Sequence, residues 1–148
     1  MSLTVILQTV AEALTASATI EAVCQVNWGR SLRVFRRVGE LYMPEPDQAP
    51  MVQLHSGPRS RSGHYMIHGV TMAVFAGSMD RPAMTDNIMY SADEAAAESL
   101  AERCEIVAMQ SFGTQGVAAE ASEEGEDLIN GPLFVAQYSF VITLKNVI

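Results

Sequence analysis

The chain has 148 residues, 49% of them hydrophobic, and a formal net charge of −8. That length suits one domain with its own core, and that apolar fraction excludes a chain disordered throughout. The acidic balance argues against a dedicated nucleic-acid binder, no apolar run approaches the roughly 18 residues of a membrane span, and the N-terminus lacks the basic start and cleavage site of a signal peptide, so a soluble cytoplasmic protein is expected.

Leu3, Ile6, Leu7, Val10 and Leu14 recur at helical spacing and predict a helix over about Leu3–Ala16. Ile20–Trp28 reads as a second helical stretch, with a strand as the alternative, because Asn27-Trp28-Gly29 resembles a helix end and turn. Leu32–Val38 alternates as a short strand. Tyr42–Pro50 holds three prolines and predicts an extended surface loop, since proline cannot donate to a ladder. Met51–His55 is a second predicted strand, Ser56–Gly63 a flexible basic connection, and His64–Phe75 a longer third strand pairing back on the second as a hairpin. Gly77–Tyr90 reads as a loop.

Ser91-Ala92-Asp93-Glu94 predicts a capping box, opening a helix whose apolar stripe is Ala96, Leu100, Cys104 and Val107. Gly113–Gly131 is acidic and rich in glycine and alanine, and is expected to be mobile. Leu133–Lys145 closes the chain as a half-buried strand. Phe134, Ala136, Tyr138, Phe140, Ile142 and Leu144 lie on one face, and Val135, Gln137, Ser139, Val141, Thr143 and Lys145 on the other. Together these elements predict a single α+β domain over 1–148, with mobile loops near 42–50 and 113–131. Its mostly antiparallel four-stranded sheet packs against two or three helices, in the order α-β-β-β-α-β.

No catalytic signature rises above this pattern, and no catalytic, cofactor-binding or metal-binding residue is assigned. His64 and His68 have the spacing that chelates zinc on a helix, but on a strand four residues span about 13 Å. His55, across the hairpin from His64, leaves any such site short of a third ligand. There is no GxSxG elbow, and Gly113-Thr114-Gln115-Gly116 lacks the lysine and preceding strand of a phosphate loop. Cys24 and Cys104 form no CxxC pair and read as buried free thiols.

Charge is unevenly spread. Residues 1–74 hold six arginines against five acids, a balance of +1; residues 75–148 hold two arginines and one lysine against twelve acids, a balance of −9. Arg30, Arg33, Arg36 and Arg37 cluster, and Arg59 and Arg61 lie in the predicted connection. These six are the candidate contacts to other subunits or partners, with carboxylates as the expected counterparts and ordinary solvated charge as the plain alternative. The asymmetry between halves is compatible with head-to-tail contacts between copies.

A leading helix, three strands with a long hairpin, one helix and a final strand resemble the tail terminator (tail completion) proteins of long-tailed bacteriophages. The segments carrying the resemblance are Pro50–Leu54 opening the second strand, the basic tip, His64–Phe75, the helix Asp93–Ser111 and the closing strand Phe134–Leu144. The resemblance implies a non-enzymatic virion protein in the tail or neck, assembled in the host bacterial cytoplasm. It implies a ring, six copies by preference, that contacts the tail tube protein and the head connector protein. DNA would be only transiting cargo, and an acidic protein would not grip it. A head–tail joining protein of another type fits the same order, and a small-ligand-binding or enzymatic α+β domain is the rival from another class.

Overall fold

The computed structural model describes residues 2–38, 43–78, 81–121, 126–130 and 133–145. Two helices open the chain, α1 (Leu3–Ala16) and α2 (Ala18–Trp28). Ser17 separates them, and the axes bend by 58° there. The Ser2 hydroxyl accepts from the Val5 N–H at 3.3 Å, and the Ser17 hydroxyl from the Ile20 N–H at 3.3 Å, so each helix starts on its own serine cap. α2 ends where Gly29 takes a left-handed conformation (φ 65°), returning its N–H to the Gln25 carbonyl. The helical reading of Ile20–Trp28 therefore describes the molecule, and the strand alternative does not.

Strands β1 (Arg33–Val38), β2 (Met51–Ser62) and β3 (Tyr65–Ser78) follow. A separate ribbon comes next, β4 (Pro82–Thr85) and β5 (Ile88–Ser91), then helix α3 (Glu94–Thr114) and strands β6 (Ala118–Ala121), β7 (Glu126–Asn130) and β8 (Leu133–Lys145). The main sheet runs β1-β2-β3-β8-β6, and β7 also pairs with β8, alongside its N-terminal half. All neighbours are antiparallel except β1 and β2, which are parallel with Arg33 opposite Met51.

The predicted four-stranded, mostly antiparallel sheet is thus replaced by a mixed sheet of five strand positions plus a two-stranded ribbon. Three departures account for the difference. First, the segment Ser56–Gly63 is not a free connection. It continues β2 through a bulge between Ser56 and Arg59, and the turn itself is Gly63-His64, with Gly63 at φ 60°. Second, Gly77–Tyr90 is not all loop, because it contains the ribbon. Third, the acidic segment Gly113–Gly131 contributes the end of α3, all of β6 and all of β7. The residue at the N-cap of α3 is Asp93 and not the predicted Ser91, and the Asp93 side chain makes no cap hydrogen bond.

All three helices lie on one face of the sheet. On that face Val52 and Leu54 of β2, Val70, Met72 and Val74 of β3, and Ala136, Phe140 and Ile142 of β8 meet Ile6, Val10 and Leu14 of α1 and Leu100, Cys104 and Phe112 of α3. Phe112 and Phe140 meet edge to face, their centroids 5.5 Å apart. The buried stripe of α3 is Ala97, Leu100, Ala101, Cys104 and Ala108, one position off the predicted Ala96. Its alanines let the helix lie close to its neighbours. On the opposite face Met51, Ala73, Phe75 and Val135 form a smaller buried cluster. Cys24 and Cys104 are free, buried thiols. Burial, with Glu21 adding repulsion, pushes the Cys24 thiol up to about 11, and burial raises Cys104 as well, so neither is a nucleophile near neutral pH.

Candidate functional site: an exposed apolar ribbon and two charged sheet edges

The β4–β5 ribbon is built around Asp86-Asn87, both at positive φ (53° and 65°). A two-residue turn of that kind matches the twist of a tight hairpin, and Asp and Asn tolerate it. Met84 pairs with Met89, and Ala83 with Tyr90 and Thr85 with Ile88. Opposite residues share a face, so the two methionines lie on one side and Ile88 and Tyr90 on the other. Both sides are open: Met84 is 61% exposed, Ile88 67%, Met89 69% and Tyr90 41%. The two strands pack on each other and barely on the body.

The root is held firmly. Ala92 N–H donates to the Arg81 carbonyl at 2.7 Å, and the Arg81 guanidinium donates to the Asp93 carboxylate at 2.6 Å. Isolated hairpins are marginal in water. The ribbon is fixed at its base and presents exposed apolar side chains on both sides.

The sheet has two open edges of opposite charge. β1 forms one, with Arg33 and Arg36 exposed and Arg37 beside them in sequence. β6 and β7 form the other, with Glu120 exposed on β6 and Glu126 and Asp127 in the sequence of β7, their side chains outside the described residues. Among the described residues Arg81 and Asp93 form an ion pair.

Of the six candidate arginines, Arg30 serves the chain's own structure: its guanidinium donates to the Asp47 carbonyl and ties the end of α2 to the turn Pro46–Gln48. Arg33 and Arg36 lie on β1. Arg37 lies there too, but its side chain is outside the described residues. Arg59 and Arg61 stand exposed on the outer end of β2, beyond the reach of β1, opposite His68 and Met66. The candidates therefore fall into two groups on one side of the sheet. What sequence reasoning missed was the ribbon, for which the Asp-Asn pair before Ile88 was the available signal.

The histidines do not converge. His55 pairs with Thr71, His64 sits in the turn, and His68 is buried on β3. No group of three metal-ligating side chains occurs among the described residues. A groove of about 390 Å³ between α1 and α3 is lined by small, hydroxyl and amide side chains, including Thr9, Ala13, Ser17, Val107 and Gln110, and holds no titratable group. No single helix among the described residues is long and apolar enough to cross a bilayer. Compared with known proteins, the chain matches no family model and no curated protein.

Two expected results arise here. Burial and the nearby Arg59 both hold the His68 imidazole below its ordinary value, favouring the neutral ring in the fold. A lowered folded value means that stability is present above the unfolded value of about 6.5 and is lost as pH falls through the folded one. Denaturant midpoints taken at about pH 7.5 and about pH 5 should fall further for the parent than for His68→Gln. Equal falls would show that His68 does not contribute to the acid sensitivity. Separately, Arg59→Glu with Arg61→Glu should change stability by no more than about 0.5 kcal/mol, because both side chains are exposed. If the tip meets carboxylates of another copy, self-association should weaken, most at low salt where repulsion is least screened; unaltered sedimentation would make the tip ordinary solvated surface.

Proposed function

We propose that this chain is a non-enzymatic structural subunit of a bacteriophage or prophage virion. In this reading it is a tail terminator-like protein whose copies form a ring, six by preference, between the tail tube and the head connector. The observation that carries the reading is the β4–β5 ribbon. Exposed apolar residues on both sides of a firmly rooted arm are costly for a monomer in water and are accounted for when a neighbouring protein buries them. The two oppositely charged sheet edges support the same reading, since they favour contact between unlike surfaces of identical copies. The helix, three strands, helix and closing strand of the resemblance correspond to α1, β1, β2, β3, α3 and β8, into which α2, the ribbon and β6–β7 are inserted. DNA is cargo for such a ring, and the net charge of −8 keeps the protein from holding it.

The test mixes the purified chain with purified tail tubes of the phage that encodes it. Electron microscopy should show a cap at one tube end, and native mass spectrometry an oligomer. A chain that stays monomeric and ignores the tubes would overturn the reading.

A further inference from the structure

We infer that copies of this chain join edge to edge, β1 of one against the β6–β7 edge of the next, by a head-to-tail contact steered by charge. The inference rests on the ring reading and supplies its contact.

β1 offers a usable edge. Arg33 N–H donates to the Pro50 carbonyl at 3.3 Å, and in a parallel ladder alternate residues face the partner strand. Arg33 and Phe35 therefore direct their backbone groups toward β2, while Val34 and Arg36 direct theirs outward. The opposite edge of the same sheet is β6 with β7, both hydrogen-bonded to β8 on the side away from β3.

The charges select between pairings. Every ionisable residue of β1 is an arginine, and every ionisable residue of β6 and β7 is an acid. Two β1 edges repel, as do two β6–β7 edges, so both symmetric dimers are disfavoured. The unlike pairing attracts. A contact between two different patches of identical chains is heterologous, and it either closes a ring or runs on as a filament.

Strand direction agrees. β1 is parallel to β2, and β3 is antiparallel to both β2 and β8, so β8 runs with β1, and β6 and β7 run against it. Copies related by rotation about an axis along the strands keep those directions. β1 then meets the neighbour's β6–β7 antiparallel, the direction that pairs slightly better per residue.

The experiment reverses each edge separately. One variant carries Arg33→Glu and Arg36→Glu, the other Glu120→Arg and Glu126→Arg. Sedimentation velocity should show the parent as an oligomer that dissociates as salt rises. Each variant alone should lose association by about tenfold or more, because like charges now face one another. An equimolar mixture of the two should recover it, since every unlike edge is restored across the pair. A chain carrying all four changes should recover it too. If the first variant does not melt cooperatively, the milder Arg33→Gln with Arg36→Gln and the salt titration of the parent carry the test. Single-edge variants that assemble like the parent would overturn the edge contact while leaving the ring reading in place. A parent that stays monomeric at all salt concentrations would overturn the edge contact, and tube binding would then decide the ring reading by itself.

Discussion

Replacing Phe140 with alanine should destabilise the fold by about 3–5 kcal/mol, the range for removing a buried aromatic side chain. Phe140 is 1% exposed and lies in the core between the sheet and the helices, and Phe112, also 1% exposed, meets its ring at an interplanar angle of 65°. The pair joins α3 to β8, two elements that are remote from each other along the chain only through β6 and β7. Phe112→Ala should cost a similar amount. The double variant should cost less than the sum, because edge-to-face pairs contribute about 0.5–1.5 kcal/mol beyond their buried area. Urea unfolding of the four proteins of the cycle measures this. Strict additivity would mean that the rings share a core without interacting specifically.

The second large effect is on assembly. Met84→Lys with Met89→Lys places two ammonium groups opposite each other on one side of the ribbon. Both positions are well exposed, so folding should be nearly unaffected, within about 0.5 kcal/mol per change. If a neighbour buries that side, two desolvated charges without partners abolish the contact. On the proposed tail-terminator reading, native mass spectrometry and capping of tail tubes should both report the loss, while the thermal transition stays close to that of the parent. A double-lysine protein that assembles and caps tubes normally would show that the methionine side of the ribbon stays in solvent. Ile88→Lys would then test the other side. The ribbon and the charged edges are separable: lysines on the ribbon leave both edges intact, and edge reversals leave the ribbon apolar.

The groove between α1 and α3 is lined mainly by hydroxyl, amide and small apolar side chains, with no titratable group among them. Burial holds both thiols in the neutral form near neutral pH.

The elements that the sequence reading described correctly are those whose pattern arises from burial on one face alone. α1 shows its apolar stripe because it lies on a sheet with its other side in water. β8 alternates so regularly because Phe134, Ala136, Phe140 and Ile142 all enter the same core. The glycine at 29 is a local signal, read from cap chemistry without any knowledge of the fold, whereas the serine cap at 17 was not read. The acidic edge and the basic edge were present as composition, but not as edges.

The remainder was decided by contacts between distant residues. Gly57 and Pro58 look like a break in the second strand, yet pairing with β3 carries β2 past them through a bulge, because the long partner strand supplies hydrogen-bond partners on the far side. β6 and β7 have no strong strand composition of their own; β8 offers an open ladder edge, and their backbone groups are satisfied on it. The ribbon escaped notice because both of its sides are exposed and apolar, which erases the alternation that reveals a strand. The direction of β1 is not written in its six residues. It follows from the twelve residues, 39–50, that carry the chain back to start β2 at the same end, a length that permits a parallel crossover. By itself the sequence determined the helices, the closing strand and the unequal charge of the two halves, because those depend on local periodicity and composition. Only the tertiary structure placed the two charges on opposite edges of one sheet and raised an apolar arm clear of the body, because edges and exposure are properties of what lies next to a residue in space.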